Sequence, residues 1–248
     1  MSGALERLLL PAECLVCHGL LPDARADDLV CAVCRSRWRP VRPPWCPRCG
    51  QPEPHFGPCR LCRDWPAAFA HARSAVWLDD GARSAVHALK YGGLPRIAQD
   101  LAGVLVRLLP APPPGATLVP VPLGARRIRT RGYNQSLELA RALAPRWAVR
   151  VHPRLLVRAR ETRTQTALTP TARQANVAGA FRVRDVECRM QERVADSAFP
   201  TPHSPLVLVD DVFTTGATLA AAARALEDAG FTSIAALTFG RASIPDFT

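Results

Sequence analysis

Eight of the nine cysteines in this 248-residue chain fall in four Cys-x-x-Cys pairs, all within its first quarter: Cys14/Cys17, Cys31/Cys34, Cys46/Cys49 and Cys59/Cys62. Gaps of 13, 11 and 9 residues separate successive pairs. A Cys-x-x-Cys turn brings two thiolates to one side of a metal ion, and two such turns complete a tetrahedral S4 site. Eight thiolates therefore make two sites, and the expected occupants are two structural zinc ions. Regular pairs in a cytosolic chain argue against disulfides. Four copies without a thioredoxin-like βαβ setting argue against redox chemistry. The spacing allows sequential or cross-braced pairing, and we favour sequential. The stretch CPRCGQPEPHFGPCRLC has the knuckle, hairpin, knuckle look of a zinc ribbon. His18, His55 and His71 are spare donors with no ligand position left to fill, so they are expected at the surface. Trp38, Trp45 and Trp65 flank the pairs and read as packing residues. Cys188 stands alone in a polar stretch and is given no role. Residues 1–65 are expected to form this head and 66–248 the rest of the chain. A head this small cannot bury much apolar core, and zinc supplies the missing stability.

The formal net charge of +11 is unevenly spread. Residues 1–65 hold nine Arg against seven acids, a net of +2, whereas residues 119–173 hold twelve Arg against two acids, a net of +10. Such a stretch suggests a surface facing a polyanion, whether pyrophosphate, nucleic acid or both. A solvated basic face without a ligand is the plain alternative. Each zinc centre with four thiolates carries about −2 charge, so the loaded head is not the basic surface. No apolar run approaches the roughly 20 residues of a membrane helix, so no membrane insertion is expected. The N-terminus lacks a basic segment and carries Glu6 and Glu13. A secretory signal is therefore not expected, and a cytoplasmic location is.

Beyond the head, apolar patterning predicts a strand or hairpin over 66–78, helices over 82–90 and 95–109, and a buried strand over 117–121. A helix follows over 134–144, with Leu137, Ala140 and Leu143 on one face, then a weak strand over 155–157. Residues 158–168 are polar and aperiodic and read as a mobile loop. A short capped helix is expected over 169–177 and a strand over 180–183. Residues 184–204 read as a polar insertion. The chain closes with an apolar strand over 206–209, a helix over 218–229 and a strand over 233–239. Strands alternating with helices imply an α/β fold with a mostly parallel sheet flanked by helices.

The chemistry concentrates at VLVDDVFTTGATL, residues 207–219. An apolar strand is expected to end at Asp210 and Asp211, at the carboxyl edge where open α/β sheets bind ligands. Two adjacent carboxylates suit the vicinal hydroxyls of a ribose. Thr214, Thr215, Gly216, Ala217 and Thr218 follow and open a helix. Their small side chains, hydroxyls and backbone N–H groups make a cradle for a phosphate. Together these parts match a ribose 5-phosphate. A P-loop (GxxxxGK[ST]) and a dinucleotide fingerprint (GxGxxG) are both absent.

This string resembles the 5-phosphoribosyl-1-pyrophosphate (PRPP) motif of type I phosphoribosyltransferases. The resemblance extends to the ComF (ComFC) family of competence-associated proteins through ALKYGG (88–93), LVPVPL (118–123), RTRGYNQ (129–135), RETRTQTALT (160–169), RQANVAGAF (173–181) and the four Cys-x-x-Cys pairs. It covers nearly the whole chain, the longer 184–204 stretch being the one departure. The resemblance implies a type I phosphoribosyltransferase-like fold behind a double zinc ribbon. By motif, Asp210 and Asp211 are implied as ribose-hydroxyl ligands, directly or through Mg2+. Thr214, Thr215, Gly216, Ala217 and Thr218 form the 5′-phosphate loop. The turn after 119–122 is likewise implied as the pyrophosphate loop, with Arg126, Arg127, Arg129 and Arg131 nearby. Residues 158–169 stand where a mobile loop would close. Lys90 and Tyr91 reach the same pocket, or Lys90 merely complements its helix end. Implied partners are PRPP, pyrophosphate, single-stranded DNA and a helicase-like protein. Three functions stay open: phosphoribosyl transfer to a nitrogenous acceptor, a single-stranded-DNA-handling module in which Tyr133 joins the basic stretch, and a PRPP sensor.

Overall fold

The computed structural model of the chain describes residues 12–21, 28–52, 58–160, 177–184 and 200–243. Five parallel strands form the main sheet in the order β1-β7-β6-β2-β3. They are β1 (Phe69–Trp77), β2 (Thr117–Pro120), β3 (Arg150–Val151), β6 (Leu206–Phe213) and β7 (Ile234–Arg241). A separate antiparallel pair, β4 (Leu156–Arg158) and β5 (Phe181–Val183), lies beside it. The expected α/β architecture is thus present. The two-residue β3 carries too little pattern to be foreseen.

Helix α2 (Asp80–Tyr91) starts where the Asp79 carboxylate accepts the Ala82 N–H and ends at Gly92. Its stripe Ala82, Ala85, Val86, Leu89 is buried. A 3-10 turn (Pro95–Ile97) leads into α3 (Ala98–Leu108). After β2 comes α4 (Ala125–Arg131), then α5 (Gln135–Trp147), capped by Asn134, whose side-chain oxygen accepts the Ser136 N–H. The buried face of α5 runs through Ser136, Leu139, Ala140 and Leu143, and Leu137 lies beside it, half-buried. Helix α6 (Ala217–Asp228) links β6 to β7.

Two apolar layers cover the sheet. On one face Val207, Val209, Leu237 and Phe239 pack against α2, α3 and α5. On the other, Leu206, Leu208, Ile234 and Ala236 pack against α6 and the β4–β5 pair. Period-two alternation along β6 and β7 divides the residues between these layers.

The cysteine pairs join sequentially. The Sγ atoms of Cys14, Cys17, Cys31 and Cys34 lie within 4.8 Å of one another, as do those of Cys46, Cys49, Cys59 and Cys62. Nearest separations of 3.5, 3.6 and 3.9 Å match the roughly 3.8 Å between sulfurs bound tetrahedrally at about 2.3 Å from zinc. Burial, then the neighbouring thiols, push Cys34 and Cys49 upward and Cys62 to about 12. Against the pull of burial, backbone N–H donors from Cys31, Cys17 and Val16 bring Cys14 down to about 6. A divalent cation among the four sulfurs offsets this mutual repulsion, so the donor sets fit zinc. His18 and His71 are exposed as expected, and His55 lies outside the described residues.

The two clusters sit on opposite faces of the sheet. Cys14, Cys34, Val30 and Trp38 join the layer of α2, α3 and α5, where Trp38 meets Phe239 edge-on at 5.1 Å. The short head helix α1 (Ala32–Arg37) carries Arg35, which bonds the wholly buried Asp100 of α3. Cys46, Cys49, Cys62 and Trp65 join the opposite layer, with Trp65 stacked on Phe69 at 4.3 Å. Between them the chain crosses the outer edge of β1: Val41 donates to the Ala75 carbonyl and Trp77 to that of Arg39. The head thereby pairs an edge that would otherwise stand open.

Because each cluster is embedded in one apolar layer, metal removal should loosen the whole chain rather than the head alone. Strong chelation is expected to lower the melting temperature by on the order of 10 °C or more in one transition, read by circular dichroism. Cys49→Ser should reduce bound zinc from two ions to one, read by elemental analysis.

Candidate functional site

Strands β2 and β6 are neighbours whose following helices leave in opposite directions. After β2, α5 runs over one face to β3. After β6, α6 runs over the other face to β7. Such a switch point opens a crevice at the carboxyl ends of the strands. Strand β2 stops at Pro120, opposite Val209, while β6 continues to Phe213 beside β7. The expectation that β6 ends at Val209 is therefore corrected: Asp210 and Asp211 lie within the strand, beyond its last residue paired with β2.

Adjacent strand residues should face opposite ways, yet both carboxylates reach groups from the same layer. Ser136 Oγ at the start of α5 donates to Asp210 Oδ1 at 2.8 Å, and the Asp211 N–H donates to the same oxygen at 2.9 Å. Lys90 Nζ in the last turn of α2 stands 2.9 Å from Asp211 Oδ2. This is a charge contact, off the direction of a good hydrogen bond. The alternation has slipped: Leu206 and Leu208 share a layer with Phe213, five residues past Leu208, while Val212 packs with Val207 and Val209. Register with β7 is unbroken, Asp210 opposite Thr238 and Val212 opposite Gly240, so both strands turn together.

The electrostatics follow from this crowding. Asp211 is 3 % exposed. Burial, then the neighbouring Asp211 charge, raises Asp210 to about 7, against the pull of Lys90 and Ser136. Burial lowers Lys90, but Asp211, then Asp210, outweigh it and hold its ammonium charged above the usual lysine range. Two carboxylates thus share one cation.

The loop after β6 bends at Thr214, Thr215 and Gly216, and α6 begins at Ala217. Thr218 belongs to the first helical turn. Thr215 is buried, and its hydroxyl accepts the Ala217 N–H at 3.4 Å, so it shapes the loop. Thr214 and Thr218 are half-exposed. Gly216 is needed twice over. Its φ of +76° is left-handed, and a Cβ there would lie 2.9 Å from both Phe213 Cζ and Trp65 Cζ2. The N-terminal end of α6 presents the positive end of a helix dipole, a setting suited to an anion.

Arg126, Arg127, Arg129 and Arg131 were expected beside a turn and instead ride on α4. That helix buries none of its residues, so it shows no apolar period. Arg126 and Arg129 are exposed and Arg127 half-buried. Arg131 bonds Gln135 and lies over the Tyr91 ring at 5.1 Å. Tyr133, grouped with the basic stretch, instead donates its hydroxyl to the Leu89 carbonyl at 2.6 Å; Tyr91, 67 % exposed, is the ring open to solvent. The structure thus brings Asp210, Asp211 and Lys90 together and leaves the α4 arginines on the helix after β2. Ser136 went unnamed in the sequence, although a serine two residues past a helix-capping asparagine was the available signal. Most of the loop expected over 158–168, nearly all of the helix over 169–177, and most of the 184–204 insertion with Cys188 lie outside the described residues. Arg158 itself ends β4 and donates to the Pro122 carbonyl at 3.3 Å.

The architecture defines a phosphoribosyltransferase-like α/β protein carrying two four-cysteine zinc sites. A family model for the double zinc ribbon domain matches residues 5–63. The chain is 31 % identical over 229 residues to DNA utilization protein YhgH of Salmonella typhi, covering 88 % of this chain and 92 % of the relative. It is 30 % identical over 227 residues to the protein of that name in Escherichia coli K12, at the same coverage. To competence protein ComFC of Bacillus subtilis it is 26 % identical over 249 residues, at 92 % of each chain. The chain belongs to the ComF family.

Asp210 is held protonated in the fold well above the pH at which an unfolded aspartate ionises. Its contribution to stability is therefore largest at low pH, falls as pH rises from about 4 to about 7, and is fully lost above. Asp210→Asn keeps a carbonyl oxygen for Ser136 and removes the charge. It should raise the melting temperature by about 4 °C or more at pH 8, with a smaller gain at pH 5, measured by thermal denaturation.

Proposed function

We propose that this protein binds PRPP with Mg2+ in the β2–β6 crevice and transfers its phosphoribosyl group to a nitrogenous acceptor. The observation carrying this reading is the pair of carboxylates turned to one side, shortly before a glycine-capped helix start. Asp210 and Asp211 accept the ribose hydroxyls. Thr214, Thr218 and the first N–H groups of α6 hold the 5′-phosphate, and Thr215 keeps the loop in shape. Arg126, Arg127 and Arg129 offer cationic groups to the pyrophosphate, with Arg131 turned to Tyr91 and Gln135. The acceptor nitrogen bonds to ribose C1 as the C1–O bond breaks. The electron pair leaves on pyrophosphate, and the acceptor proton passes to solvent. Cationic stabilisation of that leaving group matters more than a general base. Once Asp210 ionises, above about pH 7, two carboxylates beside one ammonium carry net negative charge, which suits a hard divalent cation. Asp210 and Asp211 would hold Mg2+, which would supply further charge neutralisation. Calorimetric titration with PRPP and Mg2+ should show binding that Asp211→Asn weakens by about tenfold to a hundredfold. Pyrophosphate release with a panel of bases tests transfer. Binding without release from any base moves the reading to a PRPP sensor, and no binding ends it.

A second reading has its own support. Arginines on a helix without acids, an exposed Tyr91 beneath Arg131, and relatives named for DNA utilization and competence all favour contact with single-stranded DNA during DNA uptake. A helicase-like partner would act beside it. No described helix is long and apolar enough to cross a membrane, and thiolate zinc sites suit the reducing cytoplasm. Arg126→Ala with Arg129→Ala should flatten the dependence of log K on log salt by about 1.4 for a single-stranded oligonucleotide, measured by anisotropy. An unchanged slope would remove α4 from the DNA surface.

A further inference from the structure

Arg241, at the end of β7, is a buried cation that neither zinc binding nor the proposed transfer uses. It is 2 % exposed, and burial lowers its pKa against the pull of the Cys49 group. Its Nη1 donates to the Cys49 carbonyl at 2.9 Å and its Nη2 to Gln51 Oε1 at 2.8 Å. The same guanidinium lies 4.4 Å from the Phe213 ring centroid. Arg241 thus grips the backbone of a zinc ligand and, with its face, the residue from which the 214–216 loop departs.

The other support comes from the same cluster. Trp65 follows Cys62 by three residues, and its N–H donates to the Cys62 carbonyl at 3.2 Å. Arg48, between Cys46 and Cys49, donates to the carbonyls of Cys62, Pro66 and Phe69 and so fixes the turn that carries Trp65. Trp65 Cζ2 and Phe213 Cζ are the atoms that a Cβ on Gly216 would meet at 2.9 Å. Gly216 therefore rests on two rings, each anchored to the second cysteine cluster, one through Arg241 and one through the chain itself. Nothing comparable joins the first cluster to this loop among the described residues.

We propose that Arg241 is a positioning residue through which the second cluster, Cys46, Cys49, Cys59 and Cys62, sets the conformation of the 214–216 loop and the first turn of α6. A stacked guanidinium is worth more when desolvated, and a loop holds a ligand only as firmly as its supports hold the loop. The coupling bears on function through the phosphate-loop reading, but it exists in the unliganded protein and can be measured there.

Amide hydrogen exchange on the zinc-loaded full chain reads it directly, for wild type, Arg241→Met and the milder Gln51→Ala. The peptide spanning residues 214–219 should exchange about tenfold faster in Arg241→Met and a few-fold faster in Gln51→Ala. Protection of β2 should stay at its wild-type level. Unchanged loop protection in a folded Arg241→Met chain overturns the proposal, as does loss of protection spread equally over β2. If Arg241→Met fails to fold, Gln51→Ala decides on the same criterion. Titration of the same proteins with ribose 5-phosphate separates the two readings. Loop release in the variants without ribose 5-phosphate binding by wild type would sink the ligand assignment and leave the coupling standing. Wild-type binding that both variants retain in full, with an unaltered loop, would do the reverse.

Discussion

Neighbouring residues of an extended strand project to opposite sides of a sheet, and most of this molecule obeys that rule. Where β6 reaches Asp210 it stops obeying, and the site depends on that departure. Had the alternation continued, one carboxylate would face α5 and the other α6, and no single ligand could meet both. Instead β6 and β7 turn together without losing register, and both acids address α2 and α5. Gly240 stands opposite Val212 at the turn, and a Cβ there would lie 2.8 Å from Leu78 Cδ1. The same rotation takes Arg241 away from the layer of Leu237 and Phe239 and toward Cys49. One twist at the sheet end therefore aims the acid pair and anchors the strand beside it.

The zinc head is part of this construction. A head attached by a linker would leave the outer edge of β1 unpaired and the sheet ends unsupported. Here the two clusters enter opposite apolar layers, and the crossing segment pairs with β1. Each cluster also keeps a tie to the body through a buried charge: the ion pair of Arg35 with Asp100 for the first, the hydrogen bond of Arg241 to the Cys49 carbonyl for the second. Buried charges held this way contribute little net stability compared with apolar packing. Removing one partner is costly, however, because the other is left unpaired. Such ties fix where the clusters sit more than how firmly the chain folds.

Much of the layout was legible in the sequence because it rests on local chemistry. Cys-x-x-Cys spacing forces thiolates together. The stripe Ala85, Val86, Leu89 has helical period, and the run ahead of Asp210 has the apolar density of a central strand. What escaped notice depends on contacts between distant residues. Helix α4 hides because no face of it is buried, so its arginines looked like loop residues. Strand β6 overran its expected end because β7 supplies pairing as far as Phe213. Arg241 gave no signal at all: its hydrogen-bond partners lie some 190 residues earlier in the chain, and nothing near it in sequence suggests burial. Tyr133 misled in the opposite sense, since an aromatic among arginines suggests stacking while its hydroxyl is committed to Leu89.

Lys90 holds the acid pair together. A carboxylate pair buried at a strand end would be mutually repulsive in the absence of ligand, and Asp210 already shows that cost in its raised pKa. Lys90 relieves part of it through Asp211, the more deeply buried acid, and leaves Asp210 to Ser136 and the solvent side. The site is thus partly neutralised before any ligand arrives, by Lys90 at Asp211 and by the proton that Asp210 keeps up to about pH 7. The ammonium beside Asp211 fixes the geometry of the second carboxylate without the reorganisation that a mobile counterion would require. A lysine at the end of α2 need not touch a ligand to matter: it keeps two like charges side by side in the orientation that the twist of β6 imposes.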